Sequence, residues 1–161
     1  MAHRESIQNQ YLKFLLDGAS FFWNVSDRVG YGYPSRAADV LLVQFLLNAD
    51  LRSDKQRYSG VTEPYLEMDG KFGGKTWARI KQFQRQVADG TLSEEQFADG
   101  MVSPANGVVA YSPKKGILYT IYRLNSQYMA FYRLYYQDLS KDPMFPAALR
   151  PHLFGALPQL M

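Results

Sequence analysis

The chain has 161 residues, a net charge of +3, no cysteine and two histidines. Lack of cysteine excludes disulfides, zinc–thiolate sites, thiol nucleophiles and iron–sulfur clusters. His3 and His152 sit near opposite ends, a poor arrangement for a histidine-based metal or acid–base site. The length suits a single domain over 1–161. No apolar run reaches the roughly 18 residues of a transmembrane helix, and the charge falls well short of a dedicated nucleic-acid binder. Tyr11 to Leu16 is short and carries Lys13, so no Sec-type signal peptide is predicted.

In chain order, Ile7, Tyr11, Phe14 and Leu15 predict a short helix over 5–16, ended by Asp17-Gly18. Residues 20–26 read as a strand with Trp23 and Val25 on one face. Val29 to Pro34 is a loop, with Ser35 as N-cap of the next helix. Val40 to Leu47 is apolar except at Gln44, the pattern of a buried helix, and Asn48 ends it. Residues 49–64 read as a long loop. Asp69-Gly70 is a turn. From Lys75 a helix buries Trp77, Ile80, Phe83, Gln84 and Val87, with Lys75, Arg79, Lys81 and Arg85 outside that stripe, and stops at Asp89-Gly90. Leu92 to Phe97, behind Ser93, adds one helical turn. Asp99-Gly100 is a second turn, and 101–111 is extended. Ser112-Pro113 starts a long helix over 112–140, with a tyrosine-rich face and a stop at Lys141-Asp142-Pro143. Residues 141–161 form an irregular C-terminal arm. One internal echo stands out: Asp69-Gly70-Lys71-Phe72-Gly73-Gly74 returns as Asp99-Gly100-Met101-Val102-Ser103-Pro104.

The run Asp69-Gly70-Lys71-Phe72-Gly73-Gly74-Lys75-Thr76, continued by Ile80, Phe83 and Gln84, resembles the signature of the peptidoglycan-binding-like domain. Val40, Val43, Gln44 and Leu47 resemble its preceding helix, and Asp99-Gly100-Met101-Val102 with Pro104 its second turn. Val29-Gly30, Gly32, Arg36 and Asp39-Val40 look like a variant in small proteobacterial envelope, phage and secretion-linked members. The sequence departs from the pattern at Gly74, in the long 49–64 loop, and after Pro104, where Ala105-Asn106-Gly107 stands. The resemblance implies a compact three-helix core, over 36–111; with the N-terminal helix and strand over 1–35 and the long C-terminal helix packed on it, the expected fold is mainly α.

It also implies non-catalytic binding of bacterial cell-wall peptidoglycan, glycan or stem peptide, at the envelope or in the periplasm. The expected ligand-binding residues are Asp69, Gly70, Phe72, Gly73, Lys75, Thr76, Arg79, Asp99 and Gly100. Each also has a plainer role. The Asp-Gly pairs are turn formers, Phe72, Trp77 and Phe83 suit a core, and the cations suit a solvated face. Gln44 and Gln84 on apolar faces need partners, which tying helices together supplies. No catalytic set, metal site or cofactor is expected. Glu63 and Glu67 are the nearest carboxylate pair, and no hydrolase or nucleotide motif occurs. A second reading is a protein–protein adaptor using Tyr119–Tyr136 and the C-terminal arm. A third is a nucleic-acid binder using the basic helix 75–86.

Overall fold

His3–Ser6 forms strand β1, paired antiparallel with β2 (Phe21–Asn24) from His3↔Asn24 to Ser6↔Phe21. This is seen in a computed structural model that describes residues 2–53, 65–87, 98–113 and 116–154. The pairing is non-local, and it takes the start of the expected 5–16 helix. Helix α1 covers only Gln10–Leu15, with Asn9 Oδ1 accepting from the Tyr11 and Leu12 N–H groups. Leu12 is its buried residue; Tyr11 and Phe14, expected on the apolar face, are 45% and 83% exposed.

Strand β2 is buried along its whole length. Side chains complete its other edge. The Trp23 N–H donates to Asn125 Oδ1 (2.8 Å), and Asn125 Nδ2 donates to the Trp23 carbonyl (2.9 Å). Tyr136 Oη donates to the same Asn125 Oδ1 (2.8 Å), while Trp23 Nε1 donates to the Tyr136 carbonyl (3.0 Å). These bonds satisfy backbone groups that burial would otherwise make costly.

Helix α2 spans Ala37–Ser53 and is buried continuously from Ala38 to Asp50. It runs past the expected stop because Asn48 does not cap it: that amide accepts from the Leu66 N–H (2.8 Å) and donates to the Leu66 carbonyl (2.9 Å). The rest of the expected loop, 54–64, lies outside the described residues. Nor does Ser35 cap α2. Its hydroxyl binds both the N–H and the carbonyl of Gly30 (3.0 and 2.9 Å) and so fastens the preceding loop.

Helix α3 covers Gly74–Val87 and α4 covers Thr120–Tyr132. Helix α2 packs on both, and α4 also packs on β2. Arg79, expected on the outer face of α3, is buried at 5% exposure, while Trp77 is half-buried.

The helix expected over 112–140 is broken. Ser112 donates to the Ile117 carbonyl (2.7 Å) and Tyr111 bridges Leu118, so the chain is still a hairpin where the helix was expected to run. A local Ser-Pro start signal is overruled by this cross-strand pairing. After α4 the backbone tightens into 3₁₀ turns at Arg133–Tyr135 and Leu139–Lys141. The C-terminal arm is ordered as a further 3₁₀ turn, Ala147–Leu149, and helix α5, Arg150–Phe154, with Leu149 wholly buried. The expected turn at Leu92–Phe97, the stop at Asp89-Gly90 and residues 155–161 fall outside the described residues. The architecture is mainly helical with a small two-stranded sheet. Among the described residues no helix is long and apolar enough to cross a membrane.

Candidate functional site

Both Asp-Gly turns are built from the same bonds. Asp69 Oδ1 accepts from the Lys71 N–H and Asp99 Oδ1 from the Met101 N–H, each at 2.9 Å. Gly70 and Gly100 have φ of +72° and +73°, a region that penalises any Cβ. A buried glutamine reads each turn. Gln44 Oε1 accepts from the Gly70 N–H (3.1 Å), and its Nε2 reaches Asp69 Oδ1 (3.2 Å), the Lys71 carbonyl (3.3 Å) and Thr76 Oγ1 (3.2 Å). Gln84 Oε1 accepts from the Gly100 N–H (2.9 Å), and its Nε2 reaches Asp99 Oδ1 (2.9 Å), the Met101 carbonyl (3.2 Å) and Thr120 Oγ1 (3.1 Å). One amide thus locks a helix, the turn that follows and the threonine near the start of the next helix.

The two glycines rest on equivalent positions, seven and three residues before the glutamine. Gly70 lies against Ala37 and Leu41, Gly100 against Trp77 and Lys81. A Cβ on Gly100 would overlap Trp77 Nε1, and Lys81 Nζ lies 4.5 Å from the centre of the Trp77 ring. The second turn is therefore covered by an indole. Beside the first turn a cavity of about 230 Å³ stays open.

That cavity gathers five of the expected site residues: Asp69, Phe72, Gly73, Lys75 and Thr76. Gly70 is buried beneath it against α2. Asp99 and Gly100 belong to the second turn, and Arg79 lies buried in α3; none of the three lines the cavity. Val40, Val43, Leu47 and Phe83 are core side chains at 2% exposure or less. Exposed Lys71, Lys75 and Glu67 ring the cavity, and the N-terminus of α3 opens into it. The Lys71 N–H, helped by the Gln44 amide, holds the Asp69 carboxyl below its usual range. Glu63 lies outside the described residues, so only Glu67 of that pair has a place in the fold.

One feature has no counterpart in the sequence pattern. The exposed Tyr31 stands edge-on to Phe72 with ring centres 4.9 Å apart, and 5.9 Å from Trp77. In the tyrosine-rich stretch, Tyr122 and Tyr128 of α4 and Tyr136 beyond it are core residues. Tyr128 Oη donates to Asp142 Oδ2 (2.7 Å), and the Met144 N–H donates to Asp142 Oδ1 (2.9 Å). Arg52 grips the same carboxylate with two nitrogens (2.9 and 2.8 Å) and donates from Nε to Tyr132 Oη. Burial pushes the Asp142 carboxyl up, but Arg52 and the other donors outweigh it and hold the group below its usual range. Burial and Asp142 together raise the Tyr128 hydroxyl far above the usual phenol range.

No protein-family profile, curated protein or solved structure matches the chain.

Proposed function

We propose that the protein binds bacterial cell-wall peptidoglycan without cleaving it, through a three-helix core made of α2, α3 and α4. One observation carries the reading. Gln44 and Gln84, the two signature glutamines, each hold an Asp-Gly turn and the threonine of the following helix by the same set of bonds. That supports treating the matched sequence blocks as one structural unit, with the 105–119 stretch inserted before its third helix.

The ligand-binding end of this reading is the open cavity by the first turn. The positive end of the α3 dipole and exposed Lys71 and Lys75 suit a stem-peptide carboxylate. Co-sedimentation with purified sacculi at low salt tests it. Retention in the pellet is expected; complete recovery in the supernatant overturns it.

A second reading, a protein–protein adaptor, draws on Phe131 and Leu134, which are 50% and 89% exposed beside a groove of about 450 Å³. Removing residues 144–161 would strip Leu149 from the core, so a point change is the cleaner test. Under the adaptor reading Leu134→Glu abolishes self-association in sedimentation equilibrium. A wild-type chain that is monomeric and pellets with sacculi removes it.

A further inference from the structure

We propose that the exposed Tyr31 ring, backed by Phe72 and Trp77, is a stacking platform for the sugar strand of the wall polymer, next to the cavity that takes its carboxylates. The inference rests on the wall-binding reading and adds the part of the ligand that lies outside the cavity.

The platform is built before any ligand arrives. Val29 and Val102 exchange two backbone hydrogen bonds of 2.9 Å, and Ser35 Oγ ties down Gly30 from both sides. The Tyr33 N–H donates to the Gly30 carbonyl at 3.3 Å. Tyr31 stands on this braced loop at 58% exposure, edge-on to Phe72, which itself lines the cavity. A ring carried on a braced backbone loses less freedom when a ligand lands on it than one on a loose loop.

The chemistry of the surroundings selects the ligand. A pyranose has an apolar C–H face that suits an aromatic surface, while its polar substituents point sideways. Here cations stand close by: exposed Lys71 and Lys75 at the cavity rim, and Lys81 over the face of the Trp77 ring. Of the two acids at the cavity, Asp69 is occupied by the Lys71 N–H and the Gln44 amide, and exposed Glu67 stands on the rim with the two lysines. A sugar strand bearing carboxylates meets both halves of this surface at once.

The two tryptophans make the test direct. Trp23 is wholly buried and its Nε1 is bonded to the Tyr136 carbonyl, so a ligand-induced change in emission reports Trp77. The full chain is titrated with an N-acetylglucosamine hexasaccharide, and sacculus retention is measured alongside. A saturable emission change is expected. Tyr31→Ala should weaken both binding measures about tenfold, and Tyr31→Phe should restore them to within about twofold. Unchanged emission, with Tyr31→Ala retained on sacculi like wild type, overturns the platform and leaves the wall reading standing. Saturable oligosaccharide binding without sacculus retention keeps the platform and overturns the wall reading.

Discussion

The first and second Asp-Gly turns share a φ, a carboxylate, a glutamine and a threonine, yet they face different surroundings. At the first, the α2 residues beneath the glycine are Ala37 and Leu41, and the cavity beside the turn stays open. At the second, the corresponding α3 residues are Trp77 and Lys81, and the indole covers the glycine. The bonds that define the turn are a matter of stability. What is left uncovered around it is a matter of binding. A sequence motif that encodes the former says little about the latter.

Breaking either glutamine should make the two turns look alike. Gln44→Ala and Gln84→Ala each strand a buried glycine N–H and remove packing, so each should cost about 3 kcal/mol in denaturant unfolding. On sacculi they should part company, with Gln44→Ala the more damaging per unit of stability lost. The glycines sharpen the contrast. Gly100→Ala combines left-handed strain with a clash against the indole and should cost about 2–3 kcal/mol, with red-shifted Trp77 emission. Gly70→Ala meets the Ala37 carbonyl only at 3.1 Å and should cost about 1–2 kcal/mol with no spectral change.

Acid should produce the mildest effect near neutrality. Asp69 and Asp142 both have carboxyls lowered from the reference value of 3.8. Their contributions are complete above that reference and fade as pH falls through the lowered values. Melting temperature followed from about pH 6 to about pH 2.5 should be level and then decline, and Asp69→Asn should flatten part of that decline.

Much of this was legible because the signals were local. Val40, Val43 and Leu47 mark the buried helix, Phe83 and Gln84 mark α3, and the two Asp-Gly pairs mark turns with positive φ. The failures share a cause, which is partners distant in sequence. Residues 3–6 became a strand because Phe21–Asn24 offers them an edge. Ser112-Pro113 did not start a helix because Tyr111 pairs with Leu118 and the α4 start is set by Thr120, which Gln84 holds. The cavity was partly legible, since Asp69, Phe72, Gly73, Lys75 and Thr76 are consecutive or nearly so. Tyr31 lies far from them in sequence, and its only signal was a tyrosine between two glycines.

The Tyr128–Asp142 bond echoes part of the geometry of the two glutamine-held turns. Tyr128 stands eight residues after Thr120, as Gln84 stands eight after Thr76. Asp142-Pro143-Met144-Phe145-Pro146 then follows the pattern of Asp69-Gly70-Lys71-Phe72-Gly73, with the same 2.9 Å bond from the backbone two residues on. Proline has no N–H, so a glutamine oxygen would find no donor there, and a tyrosine hydroxyl that only has to donate takes its place. Tyr128→Gln alone should therefore cost about 2 kcal/mol, and adding Pro143→Gly should return about half of it in a double-mutant cycle.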